Sequence, residues 1–311
     1  MSALARLIVI LGPTASGKSA LGIRLAEQLG GEIVVCDSTQ VYRNFDIGTA
    51  KVPLAERRGI LHHLVDIVEP SEIFTAGEYR RRALEVLEDL RRRGKVPILT
   101  AGTGLYLRAL LDGLADAPTR SESLRARLRR KAELRGPKHL HGILARLDPA
   151  AAAHIAPRDA QKVIRAIEMR VLAGKPVGEI HRSGRSGLVG YQVIKIGLLP
   201  PRTELYARIH SRVEAMLAAG WIEEVRQLIS GGIAADAKPF EFIGYVQLRA
   251  HLEAGLSQEE AAKQIQQATR RFAKRQITWF RKESGVRWIS EFGDAPETLA
   301  AALNYLQSEK L

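Results

Sequence analysis

The sequence predicts an α/β protein in which a parallel sheet is flanked by helices and interrupted by an all-helical insertion domain. Short apolar blocks alternate with amphipathic helical segments, which is typical of a parallel sheet covered on both faces. A Gly-rich loop follows the first apolar block directly. A long central stretch, rich in Arg, Ala and Leu, contains no strand-like block. The glycine loop and the alternating blocks together predict a P-loop NTPase-like core.

Apolar blocks and helix-capping signals place the elements of the first hundred residues. Strand-like blocks occur at Leu7–Leu11, Ile33–Cys36, Leu64–Val68 and Val96–Thr100. A helix is predicted over Ala20–Leu29, because two glycines end its apolar periodicity. The capping box Thr75-x-x-Glu78 predicts a second helix that continues to Leu90. A third helix is expected after the Gly102-Thr103-Gly104 turn.

The second half of the chain divides at Leu114 and Gly190. We predict a helical insertion domain at residues 114–190, within a catalytic core formed by residues 1–113 and 191–311. Tyr191–Leu199 alternates in the manner of a strand. Helices are then expected from about residue 203 to 219, from 222 to 229, and from the capping box at Ser257 to about Lys282.

Composition excludes several classes of protein. Apolar residues make up 46% of the 311 positions, enough for a sizeable core, and no apolar run approaches the ~20 residues of a membrane span. Leu7–Leu11 is too short for the apolar region of a signal peptide. We therefore expect a cytoplasmic protein without a membrane partner. The single cysteine, Cys36, rules out an internal disulfide or a multi-cysteine metal site.

The charge of the chain indicates a polyanionic partner. The formal net charge is +13, and such a surface attracts nucleic acid. Seven basic residues against two acids occupy positions 120–135. Seven more, with no acid, lie between Lys263 and Lys282, interleaved with Phe272, Trp279 and Phe280. Basic residues with interleaved aromatics are typical of a nucleic-acid-binding face.

The stretch Gly12–Ser19 is the most specific motif. Gly12, Gly17, Lys18 and Ser19 have the spacing G-x-x-x-x-G-K-S between a predicted strand and a predicted helix. Such a loop turns backbone N–H groups toward phosphates, its lysine adds a full positive charge, and the Ser19 hydroxyl can ligate Mg²⁺. The whole loop is a candidate phosphate site: Gly12, Pro13, Thr14, Ala15, Ser16, Gly17, Lys18 and Ser19. The motif indicates a di- or triphosphate with Mg²⁺, as in ATP-binding proteins, but does not identify the nucleotide.

Two further strand ends carry polar groups toward the same edge of the sheet. Asp37 follows the second block, where it could ligate Mg²⁺ through water, act as a general base, or only cap a turn. Ser38 and Gln40 add neutral hydrogen-bonding groups, and a glutamine can make a bidentate contact to an adenine edge. The Thr103 hydroxyl, after the fourth block, is expected to face the same crevice.

Eight segments occur in an order that resembles the tRNA dimethylallyltransferases, from about Leu7 to Arg281. They are "GPTASGKS" from Gly12, "DSTQVYR" from Asp37, "DIGTAK" from Asp46, "HHLVD" from His62, "AGTGLY" from Ala101, "MLAAGWIEEV" from Met216, "IGYVQ" from Ile243 and "KRQITWFR" from Lys274. Each is modest alone, but the series is specific. Small departures are Ser19, where the family more often has Thr, and Ala101, where it often has Gly.

The resemblance implies a reaction and a set of residues. The family transfers a dimethylallyl group from dimethylallyl diphosphate to N6 of adenine 37 of tRNA and releases diphosphate. The loop Gly12–Ser19 would then hold that diphosphate with Mg²⁺ on Ser19, and Asp37 would be the base. Thr103 would contact the diphosphate. An arginine of "RIHSRVEAML" is also expected there, and we favour Arg212 over its alternative, Arg208.

The resemblance also implies where tRNA binds. The insertion would bind the anticodon stem, and we expect the enzyme to act as a monomer. Residues matching tRNA-binding regions of the family are Asp37, Ser38, Thr39, Gln40, Thr103, Gln161, Lys162, Val163, Ile164, Arg165, Gly244, Tyr245, Gln247, Lys274, Arg275, Gln276 and Arg281.

Three other functions stay open on the sequence. An enzyme that prenylates free adenine nucleotides would share the phosphate loop but would have no use for a basic insertion. A nucleoside or nucleotide kinase could use the insertion as an Arg-rich lid. A non-catalytic RNA-binding module would explain the charge but leave Asp37 and the phosphate loop without a role.

Overall fold

A computed structural model describes residues 4–309, so residues 1–3 and 310–311 at the ends of the predicted core lie outside it. The chain forms two compact units. One comprises Met1–Leu110 with Val189–Leu311, and the other comprises Leu111–Leu188. Among the residues described, no helix has the length and apolar character that crossing a bilayer requires.

The first unit is built on one parallel sheet of six strands. The strands are β1 (Ala5–Leu11), β2 (Glu32–Cys36), β3 (His62–His63), β4 (Pro97–Ala101), β5 (Tyr191–Leu198) and β6 (Val286–Ile289). Their order across the sheet is β3-β2-β4-β1-β5-β6, and every pair is parallel. Helices flank this sheet, so the predicted fold class is confirmed.

Within residues 4–309, this unit has eight α-helices, three before the insertion and five after it. Before the insertion come α1 (Lys18–Leu29), α2 (Ala76–Arg92) and α3 (Gly104–Leu111). The insertion contains α4 (Glu122–Arg135), α5 (Pro137–Leu147), α6 (Pro149–His154), α7 (Ala160–Ala173) and α8 (Val177–Arg182). After it come α9 (Arg202–Ala218), α10 (Trp221–Ser230), α11 (Tyr245–Ala254), α12 (Gln258–Phe280) and α13 (Pro296–Ser308).

Two large apolar clusters stabilise the first unit, and a smaller one packs Ala15 of the glycine-rich loop against Leu205 and Ile209 of α9. The sheet cluster joins both neighbours of β1, with Ile10 beside Ile196 of β5, to Leu21 and Leu25 of α1. The helical cluster gathers α9 to α12 around Trp221 and Tyr245, which are almost completely buried. It also takes in Val41, Tyr42 and Phe45, so it anchors the loop that follows β2. Burial of apolar and aromatic side chains stabilises that loop.

Capping boxes read from the sequence begin helices where they were predicted. Thr75 accepts a hydrogen bond from the Glu78 N–H at 3.2 Å at the start of α2. Ser257 accepts from the Glu260 N–H at 3.1 Å at the start of α12, which ends at Phe280 rather than Lys282.

The third predicted strand is wrong in position. The strand is His62–His63, whereas Leu64–Val68 was expected. Leu64 and Asp66 have φ angles of 64° and 55°, which interrupt extended backbone. Only an isolated bridge from Val68 to Tyr42 continues the pairing. β6 (VRWI), α11 and α13 were not predicted, although each carries apolar residues that the sequence analysis did not single out.

The second unit has its own apolar core. Leu140 and Leu144 of α5 pack with Val163 and Ile167 of α7. One fully buried acid, Glu168, lies within it and accepts hydrogen bonds from Arg125 at 2.9 and 2.8 Å. Arg165 and the Ser121 N–H also donate to it, at 2.5 and 2.8 Å. These donors hold the pKa of Glu168 at about 2, although burial works in the opposite direction.

Candidate active site

The predicted site residues lie at the carboxyl ends of β1, β2 and β4. These ends carry the phosphate loop Gly12–Ser19, the turn from Asp37 and the turn at Gly102-Thr103. Because neighbouring parallel strands end at one edge of a sheet, the three segments share that edge.

The phosphate loop has the strained backbone that a tight anion-binding turn requires. Ala15 and Gly17 have φ angles of 63° and 88°. No side chain fits at Gly17, because a Cβ there would lie 2.6 Å from the Gly293 backbone nitrogen. Gly293 in turn donates a hydrogen bond to the Ser16 carbonyl at 2.9 Å. α1 starts at Lys18, so the unpaired N–H groups of its first turn open toward the loop.

Lys18 supplies a titratable positive charge to this loop. Its Nζ donates to the Pro13 carbonyl at 2.8 Å, which folds the side chain over the loop. Burial lowers the pKa of Lys18 to about 8; the charge of Asp37 raises it and that of Arg212 lowers it further. Lys18, Asp37 and Arg212 therefore act on one another across the same space.

Asp37 is held by its own turn and by a close approach of backbone. Its Oδ1 accepts hydrogen bonds from the Thr39 N–H at 2.9 Å and the Thr39 hydroxyl at 2.7 Å. A Cβ added at Gly102 would overlap Asp37 Oδ2, so only glycine allows the carboxylate this position. One carboxylate oxygen is thus committed to Thr39, and the other lies against the end of β4.

Thr103 connects two strand ends. Its hydroxyl accepts a hydrogen bond from the Ser38 N–H at 2.9 Å and donates to Ser38 Oγ at 3.2 Å. The Thr103 N–H donates to the Cys36 carbonyl at 3.0 Å. The hydroxyl predicted to contact diphosphate therefore first fixes the turn that carries Asp37.

The two candidate arginines of α9 occupy different environments. Arg208 pairs with Asp294 through two hydrogen bonds of 2.7 Å, and its guanidinium lies 4.6 Å from the centre of the Phe292 ring. Burial, then the charge of Arg208, lowers the pKa of Arg212, whereas the charge of Asp37 opposes this shift. Arg212 is therefore the arginine that shares the space of Lys18 and Asp37, while Arg208 would first have to leave Asp294.

The loop after the Asp37 turn is positioned by charged residues that the sequence did not single out. Lys51 donates to the Tyr42 carbonyl at 2.5 Å and to Asp46 at 2.7 Å, and also pairs with Asp66. Glu224 of α10 accepts from the Ile47 N–H at 2.7 Å and from the Tyr245 hydroxyl at 2.6 Å. These residues belong to the family-like motifs of the sequence, but the spacing of the motifs does not indicate these contacts.

Gln40 is only partly available for base recognition. Its Nε2, which has two N–H groups, donates to the Thr49 carbonyl at 3.1 Å and to the Ala50 carbonyl at 3.4 Å. A bidentate contact to an adenine edge needs both the amide nitrogen and the oxygen, so the predicted contact would require one of these bonds to break. The Gln40 Oε1 acceptor is the part of the amide left for a base.

Several side chains that were predicted to contact tRNA are buried or bonded within the protein. Val163 and Ile164 are buried in the core of the insertion, Tyr245 is buried against Trp221, and Gln276 is buried. These four side chains have little or no exposed surface, so contacts between them and tRNA stay a prediction that would have to involve their backbone atoms. Arg165 is partly exposed but binds Glu168 and the Pro118 carbonyl.

Gly244 and Gln247 also make contacts within the protein, at the start of α11. Gln247 Oε1 accepts from the Gly244 N–H at 2.7 Å, which caps α11. Gly244 has a φ of 95° and packs directly on the Trp221 ring.

A basic surface remains on both units. The exposed residues among the predicted contacts are Gln161, Lys162, Lys274, Arg275 and Arg281. Arg129 and Arg130 of the insertion are exposed as well. Trp279 lies over Gly104, where a Cβ would overlap its ring, and Arg108 stacks on the same ring at 4.7 Å. Lys274 and Arg275 of α12 are thus exposed, whereas Trp279 is half-buried under Arg108 and Phe280 is buried.

The Ser19 hydroxyl is the predicted ligand for a divalent cation at the loop. Ser19, in the first turn of α1, is half-buried beside Lys18. Within residues 4–309, no group of three or more His, Cys, Asp or Glu side chains could hold a metal. A serine hydroxyl suits Mg²⁺ in a site where phosphate oxygens and water complete the coordination.

Comparisons with known proteins agree with this geometry. The family model for IPP transferase matches residues 40–283. The tRNA dimethylallyltransferase of Solibacter usitatus (strain Ellin6076) is 51% identical over 298 residues, covering 96% of this chain and 97% of the relative. That of Koribacter versatilis (strain Ellin345) is 50% identical over 304 residues, covering 97% and 98%.

Solved structures share the fold over almost the whole chain. The full-length tRNA isopentenylpyrophosphate transferase of Bacillus halodurans has a TM-score of 0.72 at 36% identity, covering 97% of this chain and 96% of that one. A eukaryotic dimethylallyltransferase, captured in crystallographic snapshots acting on tRNA, has a TM-score of 0.80 at 27% identity, covering 99% and 80%.

Proposed function

This chain belongs to the IPP transferase family of tRNA dimethylallyltransferases, and we propose that it transfers a dimethylallyl group from dimethylallyl diphosphate to N6 of adenine 37 in tRNA. It is a prenyltransferase, and diphosphate is the product that leaves. The observation that carries the site assignment is geometric: the phosphate loop, the Asp37 turn and the Thr103 turn meet at one edge of the sheet, with the Gly102 backbone packed against the Asp37 carboxylate.

The cationic end of this crevice suits a diphosphate leaving group. Allylic C1 becomes a good electrophile once the negative charge developing on its leaving oxygen is stabilised. Lys18, Arg212 and the N–H groups of the Gly12–Ser19 loop supply that charge. Mg²⁺, bound through the Ser19 hydroxyl, would further neutralise the diphosphate.

Asp37 suits the other end of the reaction. The lone pair of the adenine amino group is delocalised into the ring, which makes N6 a poor nucleophile. In the proposed step the N6–C1 bond forms while the C1–oxygen bond to diphosphate breaks. Asp37 takes one N6 proton, which keeps that nitrogen from remaining cationic.

The contacts with tRNA are assigned to exposed cations. Adenine 37 must leave the stack of the anticodon loop to enter the crevice, which costs a few kcal/mol. Lys274 and Arg275 of α12, Arg281 directly after it, and Arg129 and Arg130 of the insertion would offset this cost through phosphate contacts. We further propose that the enzyme acts as a monomer in the cytoplasm, where tRNA is found.

A labelling experiment tests this function. The protein is incubated with Mg²⁺, dimethylallyl diphosphate labelled in the prenyl group, and an unmodified tRNA transcript carrying adenosine 37. We expect label in this tRNA and none in a matched transcript with guanosine at that position.

Each alternative function predicts a different result when AMP and γ-labelled ATP are added to parallel samples of the same incubation. Label on AMP but not on tRNA would favour prenylation of free nucleotides. Phosphate transfer from ATP without prenyl transfer would favour a kinase. Tight tRNA binding with no labelled product would favour a binding module, and any of these three results would contradict the proposal.

A further inference from the structure

One buried amide joins the two ends of the proposed active site. Gln276, on α12, is 6% exposed. Its Oε1 accepts a hydrogen bond from the Thr14 N–H at 2.7 Å, and its Nε2 donates to the Gly102 carbonyl at 2.8 Å. Thr14 and Gly102 lie 262 and 174 positions away in sequence.

Both hydrogen-bond partners of Gln276 lie in segments that are proposed to hold reacting groups. Thr14 is part of the loop proposed to hold the diphosphate. Gly102 lies against the Asp37 carboxylate so closely that a Cβ would overlap Oδ2. The Gly102 N–H also donates to the Cys36 carbonyl at 3.0 Å, immediately before Asp37. Gln276 therefore connects the loop proposed to hold the leaving group with the turn that packs against the proposed base.

The chemistry of an amide explains why glutamine suits this position. A primary amide accepts through its oxygen and donates through its nitrogen in one rigid plane. It can therefore satisfy a backbone N–H on one side and a backbone carbonyl on the other. Leucine can do neither, and an ionised glutamate would place a negative oxygen against the Gly102 carbonyl.

We propose that Gln276 is a positioning residue that sets the separation between the bound diphosphate and the general base. This inference rests on the proposed function, since it concerns the geometry of that same transfer. Prenyl transfer needs N6 and C1 close together and aligned while Asp37 is within reach of the N6 proton. A displacement of about 1 Å in such an arrangement can lower the rate by about 100-fold.

A direct contact between Gln276 and tRNA is the competing explanation, because the residue belongs to the basic segment of α12. The side chain is buried, and both ends of its amide are bound to backbone groups. The exposed neighbours Lys274 and Arg275 present charge to solvent instead. The two explanations predict different kinetic effects, since loss of a tRNA contact weakens affinity, whereas loss of positioning slows the bound complex.

The first test measures single-turnover prenyl transfer by Gln276→Leu at saturating tRNA and dimethylallyl diphosphate. We expect the rate to fall about 100-fold, while the Kd for tRNA changes by less than about threefold. Gln267→Leu is the matched control, because it makes the same change at an exposed position of the same helix and should leave the rate unchanged. A saturating rate equal to that of the wild type, or weaker tRNA binding as the only defect, would overturn the inference.

The second test uses Gln276→Glu, which keeps the length of the side chain and tests the inference even if the leucine variant does not fold. The protonated form of the introduced carboxyl has both an acceptor and a donor and can reproduce the two bonds of the amide. Burial raises the pKa of such a carboxyl. The ratio of the variant's rate to the wild-type rate should therefore rise as pH falls from 8 to 6, and a constant ratio would contradict the positioning role.

The wild-type protein separates failure of this inference from failure of the proposed function. If the wild type forms no prenylated tRNA in this assay, the proposed function itself is wrong. If the wild type forms product and both variants of Gln276 retain its saturating rate, only the positioning role is wrong.

Discussion

At the scale of single residues, the proposed active site contains two cationic side chains, Lys18 and Arg212, and one carboxylate, Asp37. Burial lowers the pKa values of Lys18 and Arg212, and the charge of Asp37 opposes both shifts. Without a bound anion, Lys18 and Arg212 also repel each other. A diphosphate relieves this repulsion, so its binding is coupled to protonation of Lys18.

The pH dependence of diphosphate binding follows from the pKa of Lys18. Its amine is protonated below about pH 8 and neutral above it, and the protonated form binds the anion. Affinity for inorganic diphosphate, measured by calorimetry, should therefore be nearly full at about pH 7, decline as pH passes 8 and be up to about tenfold lower by pH 9. Lys18→Met should bind more weakly at every pH, with little change over this range. A wild-type affinity that stays constant from pH 7 to 9 would contradict the role of Lys18.

At the scale of elements, the predictions that held are those based on local signals. Capping boxes and apolar periodicity depend on neighbours three or four positions apart, and they placed α2, α12 and most strands correctly. The contacts of Gln276 and Glu224 join segments more than 170 positions apart and leave no local trace. Val163, Ile164 and Tyr245 were assigned to tRNA by motif alone, which does not reveal that their side chains face inward.

The link between α4 and α7 predicts a stability effect. Glu168→Gln removes the negative charge that Arg125 and Arg165 share, so both guanidinium groups lose their anionic partner. Breaking a buried ion pair costs about 3 kcal/mol, so hydrogen exchange of α7 in the full chain should show its opening free energy lowered by that amount.

Glu122→Gln is the matched control for that substitution. The side chain of Glu122 is about half exposed and pairs with Arg120 at the surface, so its loss should cost less than about 1 kcal/mol. Equal losses for the two variants would contradict a stabilising role for the buried network. Because the pKa of Glu168 is lowered to about 2, its contribution is present above the ordinary pKa of glutamate and is lost as pH falls toward 2.

At the scale of the whole molecule, the strand order brings the candidate active-site residues to one edge of the sheet. β1, β2 and β4 are neighbours in the sheet although about 25 and 60 positions separate them in sequence, and their carboxyl ends deliver Lys18, Asp37 and Thr103 to one edge. The sequence predicts this arrangement because parallel strands leave no other edge for these turns. The net charge of +13 then explains how an enzyme with an anionic small substrate also attracts tRNA.

The measurement that tests the central claim most directly compares wild type with Asp37→Asn in single-turnover transfer at saturating tRNA and dimethylallyl diphosphate. Asparagine keeps the shape of the side chain and the acceptor for Thr39, but it cannot take the N6 proton. We expect the rate to fall at least about 100-fold while the Kd for tRNA changes by less than about threefold. A rate close to that of the wild type, or a loss of tRNA binding that accounts for the whole defect, would contradict the assignment of Asp37 as the general base.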